Sequence, residues 1–116
     1  MNEEACIFCK IIKGEIPSKK IFEDDEIFAF NDINPQAPIH FLVIPKRHIQ
    51  NLMETGAADA ELLGKLLIKA QELAAELGCG ENGFRLAINC KSHGGQTVDH
   101  LHLHILGGRQ LHWPPG

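Results

Sequence analysis

Apolar residues in this chain follow two periods, one helical and one alternating. Ile7, Phe8, Ile11 and Ile12 recur at helical spacing and stop at Lys13-Gly14, predicting a short helix over residues 6–13. Residues 19–23 and 26–31 read as two strands around the acidic turn Asp24-Asp25. Residues 39–44 are apolar at nearly every position, which predicts a central strand, and Pro45 stops it. The longest periodic segment is 59–77, where Leu62, Leu63, Leu66, Leu67, Ala70, Leu73, Ala74 and Leu77 form a broad apolar stripe. Asp59 suits its N-cap and Gly78 its C-terminal glycine. Residues 84–89 and 100–106 supply two more strands. This order predicts a single α+β domain over 1–116: an antiparallel sheet of about five strands, with one long and one short helix on one face.

Composition narrows the classes of function. At 116 residues with a net charge of -4, nothing global attracts the chain to nucleic acid or a membrane surface. No apolar run approaches the length of a membrane span, and Met-Asn-Glu-Glu-Ala-Cys is no signal peptide. Four cysteines in such a chain favour thiols or a metal site over disulfides, and a cytoplasmic location is expected. Lys46, Arg47 and Arg109 are isolated basics without interleaved aromatics, and read as solvated or locally paired.

Candidate chemistry concentrates in His100-Leu101-His102-Leu103-His104. Alternation would put three imidazoles on one side of a strand and the leucines on the other. Buried imidazoles need polar partners, but they titrate near neutrality and ligate metals, so a nucleophile with acid/base partners and a metal site compete. The preceding loop, Ser92-His93-Gly94-Gly95-Gln96-Thr97, has glycines that let backbone N–H groups approach an anion, and Gln96 and Thr97 add side-chain hydrogen bonding. Beside three histidines, phosphate recognition is the better reading of that loop. Cys6-Ile7-Phe8-Cys9 fits a redox pair, half a metal site or two unrelated thiols, and spacing alone does not choose. Cys79 and Cys90 have no partner at recognisable spacing.

The run His100-Leu101-His102-Leu103-His104-Ile105-Leu106 resembles the histidine-triad motif of the HIT superfamily. The likeness extends to Asn31-Asp32-Ile33-Asn34-Pro35-Gln36-Ala37-Pro38, to residues 40–45 with Lys46-Arg47-His48, and to residues 94–98. The tail from Gly107 through Trp113-Pro114-Pro115-Gly116 resembles the Hint branch, the histidine triad nucleotide-binding proteins. The resemblance implies a HIT-like fold, a homodimer, and hydrolysis of purine nucleoside 5′-phosphoramidates and aminoacyl-adenylate-like substrates through a covalent nucleotidyl-histidine. It implies His102 as nucleophile, the carbonyl of His100 as the acceptor orienting it, and His104 on the phosphate oxygens. Thr97 stands where a serine is usual and would relay a proton to the leaving amine. Asp32 would accept the ribose hydroxyls. Phe8, Ile11, Phe30 and Ile33 would wall the base, with Asn89, Gly95, Gln96 and Val98 on the phosphate side.

For the cysteine pair, the resemblance implies a structural Zn²⁺ on Cys6, Cys9, His48 and His100, as in zinc-bearing bacterial relatives; many eukaryotic Hint proteins lack that pair. It also implies that the tail, with Trp113, lies near the neighbouring subunit's site, and that helix 59–77 and strand 84–89 form the dimer interface. Three rival readings remain: a nucleotide-binding scaffold with incidental hydrolysis, a dinucleoside polyphosphate hydrolase, and a zinc hydrolase using all three histidines as ligands.

Overall fold

Two neighbouring strands that are apolar on both sides need a cover for each face, and this requirement shapes the molecule. The computed structural model describes residues 3–116. Helix α1 (Ile7–Ile12) precedes strands β1 (Lys20–Glu23), β2 (Ile27–Asn31) and β3 (Ile39–Pro45). Helix α2 (Ala60–Glu76) follows, then β4 (Phe84–Ile88) and β5 (Leu103–Gly107). The strands form one antiparallel sheet in the order β1-β2-β3-β5-β4, so β3 is central as its composition predicts. No helix among the described residues is long and apolar enough to cross a membrane.

The α+β prediction holds, but the helices lie on opposite faces. On one face Ile27, Ala29, Phe41, Val43, Leu103 and Ile105 pack with Leu66, Ala70, Leu73 and Ala74 of α2. On the other, Phe28, Phe30, Leu42 and Ile44 pack with Cys6, Phe8, Cys9 and Ile11 around α1. One long helix covers a single face, so the short one closes the second. The sequence stripe on α2 is also too broad: Leu67 and Leu77 are exposed, together with Ile68.

Local signals explain the connections. Asp24 Oδ1 accepts the N–H groups of Glu26 and Ile27 at 2.8 Å each, which closes the β1–β2 turn. Asp59 does not cap α2. Its Oδ2 accepts the Gly56 N–H, which caps the preceding turn, and its Oδ1 is engaged by Arg47. Gly78, at φ 94°, ends α2 as expected. Lys46 pairs with Glu23 at 2.7 Å and Arg109 donates to the Gln36 carbonyl, so the isolated basics are locally engaged.

Candidate functional site

β5 begins at Leu103, later than the alternation suggests, and only His104 lies within it. Leu103 pairs with Val43 on one side and with Ile88, the last residue of β4, on the other; the segment before it runs past the end of β4 and leaves the ladder with β3, although β3 continues through Ile44 to Pro45. It is held otherwise: the Leu101 N–H donates to the Ile49 carbonyl at 2.6 Å, and His100 Nε2 donates to the Pro45 carbonyl at 2.8 Å. Period-two sidedness survives without the ladder. Leu101, Leu103 and Ile105 enter the α2-side core, while Phe8 of α1 meets His100 and His102 edge-on at 5.9 and 5.1 Å between ring centres.

His102 is buried, and its Nδ1 lies 2.7 Å from the His100 carbonyl. A carbonyl only accepts, so Nδ1 carries the proton and Nε2 keeps its lone pair. Burial pushes His102 below the usual histidine range, partly offset by that hydrogen bond and by the charge of Asp32. His104, its ring 4.9 Å from that of His102, is pushed down to about 4 by burial and by its imidazole neighbours. Both are therefore neutral at pH 7.

These shifts set a pH dependence of stability. A histidine whose folded value lies below its unfolded one contributes stability present above about pH 6.5, and that stability is lost as pH falls toward the folded value. The urea midpoint should fall between pH 7 and pH 5, above the range where carboxylates titrate. His104→Asn should flatten the decline, and an equally steep decline in that variant would refute the assignment.

Residues 89–98 form the loop beside the triad. Gly95 has φ 76°, and a Cβ on Gly94 would sit 2.6 Å from the Cys90 carbonyl oxygen and 2.7 Å from its nitrogen. Gly94→Ala must therefore open the loop: turnover should drop at least roughly 10-fold with the melting temperature little changed, since a displacement of about 1 Å near reacting groups is that costly. Unchanged turnover would show that the loop plays no part. Gln96 differs from its sequence reading. Its amide accepts from Lys91 N–H and donates to the carbonyls of Gln50 and Val98, so it braces the loop and has no donor left for an anion. Thr97 is exposed, whereas Asn89 and Val98 are half-buried, Val98 against the α1-side cluster.

Around α1, Phe8 and Phe30 meet edge-on at 5.5 Å and Ile11 is buried beside them. Ile33 is 93% exposed and forms no buried wall; it lines an open, largely apolar cleft of about 770 Å³ with Asp32, Pro38 and His40. Trp113 is exposed as well, and Arg85 ties the tail to β4 through the His112 carbonyl.

Cys6, Cys9, His48 and His100 converge with their ligand atoms within 4.8 Å of one another. His100 Nδ1 lies 3.4 Å from Cys6 Sγ, 3.6 Å from Cys9 Sγ and 3.2 Å from His48 Nδ1, and Cys9 Sγ lies 3.3 Å from His48 Nδ1. A zinc tetrahedron with Zn–S about 2.3 Å and Zn–N about 2.0–2.1 Å has N···N edges of roughly 3.3 Å and N···S edges of roughly 3.6 Å, and these four separations match them. Because His100 Nε2 donates to Pro45, its Nδ1 presents a lone pair to the centre. His48 Nε2 is buried and finds no partner among the described residues, the cost of turning Nδ1 inward. Burial and the neighbouring Cys6 push the Cys9 thiol up to about 12, a position that a divalent cation would reverse. The donor set fits a metal.

Sequence reasoning missed His40. It is the polar residue of an otherwise apolar strand, on the same face as Leu42 and Ile44, and its Nε2 lies 3.0 Å from His104 Nδ1 and 3.4 Å from Asp32 Oδ2. Its even position on β3 was the available signal.

A family model described as the HIT domain matches residues 13–111. An uncharacterised HIT-like protein of Synechocystis sp. is 56% identical over 113 residues, 97% of this chain and 98% of the relative. The crystal structure of a HIT family hydrolase from Legionella pneumophila superposes with a TM-score of 0.94 at 55% identity, covering 96% of this chain and 99% of that one. A histidine triad protein from Clostridium difficile gives 0.91 at 47%, covering 96% of each chain.

Proposed function

The chain belongs to the HIT domain family, and on that premise we propose that it hydrolyses the P–N bond of purine nucleoside 5′-phosphoramidates, and of aminoacyl-adenylate-like substrates, through a nucleotidyl-His102 intermediate. The observation that carries this reading is the buried Nδ1–H of His102 on the His100 carbonyl, which leaves Nε2 unprotonated. A hydrolase named in the Legionella relative supports the reaction class.

In the first step His102 Nε2 attacks the phosphorus, the P–N bond breaks, and the leaving amine takes a proton relayed through Thr97. Water then hydrolyses the P–His bond to nucleoside monophosphate and restores the imidazole. A covalent step divides one hard displacement into two easier ones. Charge developing on the phosphoryl oxygens is met by His104 and by the backbone N–H groups of Thr97 and Val98, since those of Gly95 and Gln96 donate to the Ser92 and Lys91 carbonyls within the loop. Asp32 Oδ1 accepts the Asn34 N–H, and its Oδ2 is left to the ribose hydroxyls and His40. Phe8, Ile11 and Phe30 pack on the base side, with the exposed Ile33 at the mouth of the cleft as a further apolar contact for the base.

Cys6, Cys9, His48 and His100 would hold Zn²⁺. The metal would supply rigidity, taking His100 by its side chain while its carbonyl serves His102. Chemistry on the phosphorus needs none. A homodimer fits the edge strand β4 and the exposed Leu67 and Ile68 of α2, with Trp113 delivered to the partner's site, and a cytoplasmic setting fits the free thiols.

The test is a paired assay with adenosine 5′-phosphoramidate and a diadenosine polyphosphate. Release of AMP and amine from the first, with the second nearly inert, is expected. Preference for the polyphosphate would replace this reading, and binding without turnover of either would make the protein a nucleotide-binding scaffold.

A further inference from the structure

A contact between two imidazole nitrogens at 3.0 Å requires one proton, and the molecule determines which ring supplies it. The Gln36 backbone N–H donates to His40 Nδ1 at 3.0 Å, so that nitrogen is an acceptor and carries no hydrogen. Burial lowers the pKa of His40 despite the nearby charge of Asp32, so the ring is neutral and its single N–H is at Nε2. That N–H faces His104 Nδ1 at 3.0 Å, with Asp32 Oδ2 a more distant second acceptor at 3.4 Å. His104 Nδ1 must then accept. His104 is neutral too, so its proton is on Nε2.

From this chain of hydrogen bonds we propose that His40 is a positioning residue that fixes His104 in its Nε2–H tautomer, anchored by the Gln36 main chain. The consequence for the site rests on the phosphoramidate reading above. A neutral His104 offers an N–H at its second nitrogen and no lone pair there. It therefore donates to an anionic phosphoryl oxygen and does not act as a general base through Nε2. The opposite tautomer would set a lone pair against the anion. Asp32, His40 and His104 also lie close enough to suggest a second cation site. The same tautomer argues against it, because His40 Nε2 carries a hydrogen where a ligand needs a lone pair.

The tautomers are read directly from long-range ¹H–¹⁵N correlations of ¹⁵N-histidine-labelled protein at pH 7.5, without any turnover. In the wild type both His40 and His104 should show protonated Nε2 and bare Nδ1. His40→Leu removes the donor, and His104 should shift toward Nδ1–H or a mixture. His40→Gln should restore the wild-type His104 pattern, since glutamine's amide nitrogen reaches the place of imidazole Nε2. Turnover should follow the spectra: kcat lower by roughly 10–100-fold in His40→Leu, as for other outer-shell partners of a working histidine, and partly recovered in His40→Gln. Protonated Nδ1 on His104 in the wild type, or an unchanged His104 pattern in His40→Leu, would overturn the proposal. Should His40→Leu not fold, the wild-type spectrum decides alone. Because these spectra require no substrate, their outcome is separate from that of the phosphoramidate assay.

Discussion

His102→Ala should abolish turnover of adenosine 5′-phosphoramidate, by roughly 10³-fold at least, while AMP still binds. The expectation follows from position and tautomer together. His102 is the triad imidazole whose Nδ1 is held by a main-chain carbonyl, so its Nε2 is an unprotonated nitrogen at neutral pH without any conformational adjustment. Removing it removes the atom that would bond to phosphorus, and neither neighbour can substitute. His100 is fully buried with Nε2 on Pro45 and Nδ1 toward the cysteines, and His104 is engaged by His40. The fold should tolerate the change, since the large apolar core beneath α2 is built from the alternate residues Leu101, Leu103 and Ile105. Loss of turnover in a protein that still folds, with a modestly lowered melting temperature and retained AMP affinity, is therefore the result expected. Turnover within a few-fold of wild type would remove His102 from the mechanism.

The second large effect concerns metal. The protein as isolated from cells should carry one zinc per chain, and a strong chelator or Cys9→Ser should lower its melting temperature by about 10 °C or more. A loss of a few kcal/mol suffices for that, each shifting a domain of this size by roughly 4–8 °C. The reason is that α1 has six residues, too few to persist alone, and Cys6 serves both as its N-cap and as a proposed ligand. Without the ion, two buried thiols, the buried His100 and the half-buried His48 face one another with only weak hydrogen bonds. Metal analysis without zinc, together with freely reactive thiols and an unmoved melting temperature, would sink the assignment. Chelation that stops turnover while leaving the melting temperature alone would instead favour a catalytic metal.

Sequence patterns reached the sheet and both helices because each rests on local periodicity. The run 39–44 is apolar on both faces, and that feature already implied two covers; assigning both helices to one face overlooked it. The triad was legible as three imidazoles on one side, yet the limit of the strand beneath them was not, because β4 ends at Ile88 opposite Leu103 and the backbone around His100 is spent on Ile49 and His102. Gln96 reads as an anion donor in one dimension and proves to be a loop brace, since its partners at Gln50 and Val98 include one 46 residues away. His40 and His104 are 64 residues apart, and only the register of β3 with β5 brings them onto one face. Of the four candidate ligands only Cys6 and Cys9 are neighbours in sequence; His48 and His100 lie 39 and 91 residues beyond Cys9. Their convergence follows family likeness in the sequence and geometry in the fold.

The covalent intermediate is the central claim, and acid-independent quenching tests it most directly. Wild-type protein mixed with excess adenosine 5′-phosphoramidate should be stopped in denaturant at neutral pH, where a phosphorus–imidazole bond survives, then digested and mapped by mass spectrometry. The account predicts an adenylyl group on the peptide carrying His102, absent from His102→Ala. A label on His100, His104 or Thr97, or steady turnover with no labelled peptide at any time, would contradict it.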